Sequence, residues 1–198
     1  MRTGSIHRAS SARLLRTTLA GVVGMAVLGA ALAGGAGHAH AETGGVEEYE
    51  VKAAFIYNFA KFATWPPGAF AGPQAALVLC VTGGNPFGPA LTALAGKPVG
   101  ERSLAVREVD AGEAGTCHLL FVARPAAERW ETIAPAVRGR PVLTIGDSDG
   151  FARQGGAINL FLADGRVRFS VNLKALERSG VTLSSQVLRL ARIVEDAP

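Results

Sequence analysis

Ala75-Ala76-Leu77-Val78-Leu79-Cys80-Val81-Thr82 carries no charge, is rich in Leu and Val, and runs straight into Gly83-Gly84-Asn85-Pro86. A short run that is apolar at odd and even positions alike, and bounded by turn residues, reads as a strand covered on both faces. Such strands belong to sheets with helices on each side, so this stretch predicts an α/β domain. Asn85 and Pro86 suit an N-cap and a first helical position, and they predict a helix running to about Ala95.

The pattern continues downstream. Ser103 to Val109, His118 to Ala123 and Pro141 to Ile145 read as further strands. Ala126 to Ala134 reads as a short helix around Trp130 and Ile133, ended or kinked by Pro135. Ala157 to Ala163 and Arg166 to Val171 are joined by Asp164-Gly165. A two-residue Asp-Gly joint is a strong hairpin signal, so the sheet holds at least one antiparallel pair. Leu173 to Ser179 predicts a helix stopped by Gly180. Ser184 caps a last helical piece with Val187, Leu190, Ala191 and Val194 on one face. Upstream, Val46 to Thr64 predicts a long helix whose stripe of Val51, Phe55, Phe59 and Phe62 packs on the sheet, until Trp65-Pro66-Pro67-Gly68 stops it. The expected architecture is a single α/β domain, a mixed β-sheet flanked by helices.

The first 41 residues stand apart. Met1 to Thr18 is polar and holds Arg2, Arg8, Arg13 and Arg16. Leu19 to Ala33 is uncharged and apolar, and Ala39-His40-Ala41 has the small-x-small form of a cleavage site. This is the layout of a signal peptide, residues 1–41, exported to the periplasm and removed to leave a domain of residues 42–198. The competing reading is an uncleaved anchor helix, but Gly and Ala dominate the run and bring little apolar area. The chain has 20 basic and 16 acidic residues. The four basic residues of the leader account for the whole excess, so nothing in the bulk charge argues for nucleic-acid binding. Of four histidines only His118 lies beyond the leader, which excludes a multi-histidine metal site in the body.

Cys80 and Cys117 are the only cysteines. An even pair in an exported domain reads as a disulfide, the alternative being two buried thiols. In simple parallel register Cys80, late in its strand, would lie far from Cys117, early in the next, so the bridge needs a stagger or an antiparallel pair. Gly83-Gly84-Asn85-Pro86-Phe87-Gly88 is neither a dinucleotide fingerprint nor a P-loop and reads as a structural turn. No cofactor is expected. Asp147 and Asp149 flank a turn, where capping is the usual role of Asp. Cys117 and His118 are adjacent on a strand and point to opposite faces. No catalytic constellation emerges, and the chain reads as a non-enzyme. Arg166 and Arg168 share a strand face, and Arg189 and Arg192 share a face of the expected helix. Their guanidinium forks suit carboxylate or phosphate, so these four are the candidate partner- or ligand-binding residues, against the plainer reading of a solvated surface.

Several strings together resemble the YfiR-like family of periplasmic regulators. They are Val51-Lys52-Ala53-Ala54-Phe55-Ile56-Tyr57-Asn58-Phe59 through Trp65-Pro66, Cys80-Val81-Thr82-Gly83 with Pro86-Phe87-Gly88, and Cys117-His118-Leu119-Leu120-Phe121-Val122. Pro141-Val142-Leu143-Thr144-Ile145-Gly146-Asp147, Gly150-Phe151-Ala152 with Gly155-Gly156, Arg168-Phe169-Ser170-Val171-Asn172-Leu173, and Ser184-Ser185 with Leu188-Arg189-Leu190-Ala191-Arg192 complete the set. The resemblance implies a repressor that binds the periplasmic part of an inner-membrane diguanylate cyclase and so lowers cyclic-di-GMP. It also implies an outer-membrane lipoprotein that sequesters the repressor, and redox control through the Cys80–Cys117 bridge. Family members with four cysteines carry a second bridge near the region corresponding to Gly150 to Leu160, where this chain has none. The alternative function is a periplasmic sensor in which Asn85, Arg166, Arg168 and Arg189 hold a small anion. Pairing into a homodimer stays open.

Overall fold

In the computed structural model, which describes residues 39–197, the chain begins with a long helix, α1 (Ala39–Phe62). A short strand β1 (Ala63–Thr64) and the strand β2 (Leu77–Thr82) follow. Next come α2 (Pro89–Thr92), β3 (Pro98–Val99), β4 (Arg102–Glu108) and a 3₁₀ segment (Ala111–Thr116). The middle of the chain forms β5 (Leu119–Val122), α3 (Arg124–Ala127), α4 (Trp130–Val137) and β6 (Leu143–Gly146). The last part forms β7 (Ile158–Ala163), β8 (Arg166–Asn172), α5 (Leu173–Ser179), β9 (Thr182–Leu183), α6 (Ser185–Leu188) and β10 (Arg192–Val194). Of the expected leader, residues 1–38 lie outside the described residues, and Ala39–Ala41 open α1.

Eight strands make one mixed sheet in the order β10-β8-β7-β6-β5-β2-β4-β3. The central five, from β4 to β7, are parallel. β8 turns back antiparallel to β7 through Asp164 and Gly165, both in the left-handed region that this hairpin turn demands. β1 and β9 pair separately. The expected α/β class is therefore the observed one. The apolar runs are buried on both faces, most fully in β5 and β6. One face packs Leu79, Phe121 and Ile145 under Ile56 and Phe59 of α1. The other packs Leu120, Val122 and Phe151 under Trp130 and Ile133 of α4.

Phe151 is fully buried and its ring fills the space that side chains would take at two glycines. A Cβ on Gly146 would come within 2.6 Å of the ring and one on Gly156 within 2.2 Å. The loop after β6 can close over the sheet only because both positions lack a side chain.

The disulfide forms between Cys80 and Cys117, with Cα atoms 6.0 Å apart. The strands are parallel, and the ladder pairs Cys80 with Leu120 rather than with Cys117. Cys117 reaches its partner because it is not in the strand. It is the C-cap of the 3₁₀ segment, which packs on the face to which Cys80 points. The stagger that the bridge requires comes from this out-of-plane segment.

Four local expectations differ from the structure. The helix after Pro86 shrinks to α2, because Gly88 stands at φ 52° and interrupts it, while Asn85 Oδ1 accepts from the Phe87 N–H in a tight turn. α4 runs through Pro135 to Val137. The buried face of α1 is turned away from the aromatic stripe: Lys52, Ala53, Ile56 and Ala60 are buried with Phe59, while Val51 and Phe62 are 44% and 39% exposed. The last helix ends at Leu188, and Arg192–Val194 is a strand. Ile193 and Val194 are β-branched, and β8 offers them a parallel partner from Ser170 to Asn172.

Candidate functional site

The five parallel strands run β4-β2-β5-β6-β7, so the chain order reverses between β2 and β5. In open α/β sheets the crevice outside the carboxyl ends of the strands at such a reversal is the usual place for a site. Here that edge carries Gly83 after β2, Arg124 after β5 and Asp147 after β6. Gly83 has φ 88°, and a Cβ there would lie 2.4 Å from the Ala126 Cβ. The glycine turn thus lets α3 sit down on the sheet edge, the structural role its sequence implies.

Asp147 is the centre of a buried charged cluster. Its Oδ2 accepts from Lys52 Nζ at 2.7 Å and from the Tyr49 hydroxyl at 2.7 Å. Lys52 is fully buried, and its Nζ also pairs with Glu48 Oε1 at 2.5 Å and lies 4.3 Å from the centre of the Tyr49 ring. Arg124 covers the group from the solvent side, with Nε 3.6 Å from Asp147 Oδ2 and a guanidinium nitrogen 3.8 Å from Glu48 Oε1. Two acids and two bases balance, which is what allows charge at this depth. Burial and the bond to Asp147 push the Tyr49 hydroxyl well above the ordinary tyrosine value, so it stays protonated and donates. Asp147 Oδ1 and Ser148 Oγ are buried without a hydrogen-bond partner among the described residues. The cluster fastens α1 to the sheet through the contacts of Tyr49 and Lys52 with Asp147.

This corrects the reading of Asp147 as a turn cap. Asp147 is buried while Asp149 is exposed, so the two do not act as a pair. Glu48, Tyr49 and Lys52 were missed. Their spacing places them on one side of a helix, and a lysine amid an apolar stripe is the signal that could have found them.

His118 is a clamp. The Val78 N–H donates to Nδ1 at 3.0 Å, so the proton is on Nε2, which donates to the Ala69 carbonyl at 3.1 Å. The ring stacks on Phe70 at 4.4 Å. Burial, with Arg102 and Arg107 nearby, lowers the His118 pKa below the ordinary histidine value. Nδ1 thus holds the β2 backbone at Val78 and Nε2 the loop before β2, so both ring nitrogens are engaged.

The four sequence-predicted arginines, Arg166, Arg168, Arg189 and Arg192, are all exposed, and none forms an ion pair with a described residue. The structure brings three of them to one face. Arg166 and Arg168 alternate along β8, and the register Arg192↔Ser170 puts Arg192 on the same side. Arg189 is the C-cap of α6 and does not share a helix face with Arg192, which stands in β10. Asn85 is occupied in its own turn. An open groove of about 1120 Å³ runs past Arg124, Trp130, Ser148 and Arg178. Among the described residues no cluster of His, Cys, Asp and Glu is arranged to hold a metal ion, and no helix is long and apolar enough to cross a membrane.

Among solved structures, the chain is similar to a conserved domain protein from Vibrio cholerae O1 biovar eltor. The likeness is 12% identity with a TM-score of 0.45, over 73% of this chain and 59% of that one. It is also similar to the ABC domain in complex with L-Trp from Streptococcus pneumonia, at 10% identity and a TM-score of 0.42, over 59% of this chain and 54% of that one. The chain thus spans less than two thirds of either protein. A family model described as YfiR/HmsC-like matches residues 49–192, from Tyr49 of the buried cluster to Arg192 of the edge strand. The chain belongs to the YfiR/HmsC-like family, whose members are periplasmic regulators rather than enzymes.

Proposed function

We propose that this chain is a periplasmic repressor that acts by binding. It holds the periplasmic part of an inner-membrane diguanylate cyclase inactive and so lowers cyclic-di-GMP inside the cell, and an outer-membrane lipoprotein relieves it by sequestering it. The observation that carries this reading is the family match across nearly the whole folded domain. Two features support it. The two cysteines are bridged, as an oxidising compartment favours. Exposed arginines without an acidic partner among the described residues offer charge to another molecule. In this reading the leader, residues 1–41, is removed on export, and the mature chain begins Glu42-Thr43-Gly44.

The test is capture from solubilised membranes with the mature chain as bait. Recovery of a membrane protein with a cytoplasmic diguanylate cyclase domain is the expected result. Absence of any such cyclase from the eluate contradicts the reading.

A further inference from the structure

We infer that the free outer edge of β10, flanked by the arginine row that continues from it onto β8, is a docking edge for an extended, acidic segment of a partner, which adds to the sheet beside β10 as a further strand. The inference rests on the binding role proposed above and specifies its contact.

β10 is the last strand on its side of the sheet and pairs only with β8. It lies beside β8 at Ser170–Asn172, so a strand added outside β10 pairs with β10, while Arg166 and Arg168 stand one strand further in on the same face as Arg192. An edge of this kind presents unpaired backbone donors and acceptors, which is the template for strand addition. Two side-chain rows flank it. On one face Arg166, Arg168 and Arg192 are exposed and form no ion pair with a described residue. On the other, Ile193 is 48% exposed and lies in register with Val171. The acids just beyond the strand are already engaged, Glu195 with Lys174 and Asp196 with Arg178. The edge is therefore left with net positive charge on one face and apolar surface on the other. A strand that complements both carries acidic side chains at alternate positions and apolar ones between them, because successive residues point to opposite faces. Charge thus selects an acidic segment over a basic one, and main-chain pairing selects an extended one.

The probe is a blocked peptide of alternating glutamate and valine, about eight residues long, titrated into the nitrogen-15-labelled mature chain. The amide signals of Arg192–Val194 shift on binding. The double variant Arg168→Glu/Arg192→Glu, which retains the wild-type melting temperature because both side chains are exposed, weakens the peptide about tenfold or more, the sum of two exposed ion pairs lost and reversed. A peptide N-methylated at alternate positions does not bind. Equal binding by the N-methylated peptide, shifts confined to other elements, or no binding at millimolar concentration overturns the inference. If wild type and double variant capture the cyclase from membranes equally, the edge is not the contact and the repressor reading stands. If the peptide binds at the edge and the chain captures no cyclase, the edge stands and the repressor reading falls.

Discussion

Lys52 Nζ and Asp147 Oδ2 lie 2.7 Å apart, both side chains shielded from water, although 95 positions separate them in the chain. The contact ties the N-terminal helix to the carboxyl edge of β6 and sets which side of that helix faces inward.

Removing one member of this pair leaves the other charge buried. Lys52→Met should therefore cost about 3–5 kcal/mol, toward the lower end because Arg124 remains beside Asp147. Urea denaturation at neutral pH measures it. A loss under about 1 kcal/mol would mean that the cluster opens to water when Lys52 is absent.

The same pair marks the limit of what the amino-acid pattern discloses. Strands buried on both faces, the Asp164-Gly165 hairpin, the stop at Gly180 and the Ser184 cap are local signals, and each is present where its residues place it. The inward face of α1 is not local. By size Phe55 and Phe62 look like core, yet Lys52 and Ala53 are inside, because Asp147 arrives from a distant loop to receive the lysine. β10 was hidden for a similar reason: three residues become a strand only because β8 leaves an open place beside Ser170. Charges whose partners lie far along the chain, and strands recruited by an existing edge, cannot be read from a window of neighbours.

The Cys80–Cys117 bridge closes a loop of 37 positions and joins the 3₁₀ segment to β2. Reduction should lower stability by about 2–4 kcal/mol. Parallel denaturation of oxidised and reduced protein gives the difference. Two thiols titrating in freshly isolated, unreduced protein would contradict the bridge.

His118 gives a pH dependence of defined sign. Its pKa is lowered in the folded state, so above the ordinary histidine value of about 6.5 the ring is neutral whether folded or not, and the contribution is intact. As pH falls below that value the unfolded chain takes up a proton first, and stability declines until the folded-state pKa is passed. It is the only histidine beyond the leader. Stability measured from about pH 7 down to about pH 5 should fall in the wild type and fall less in His118→Gln. Equal slopes would remove His118 as the cause.

Gly156→Ala forces a methyl group into the Phe151 ring and should cost about 1–3 kcal/mol. Gly112→Ala is the control, since nothing lies within 4 Å of the added carbon and its φ is not in the left-handed region. A melting-temperature comparison decides it. Similar values for the two variants would show that the loop after β6 yields freely.

The central claim is repression through binding, and cyclic-di-GMP is its direct readout. The measurement is intracellular cyclic-di-GMP in cells that lack this chain, in the same cells supplied with the exported wild type, and in cells supplied with a form retained in the cytoplasm. The account predicts a rise on loss of the chain, a return to the original level with the exported form only, and no return with the retained form. An unchanged level on loss of the chain, or equal correction by the retained form, would contradict it.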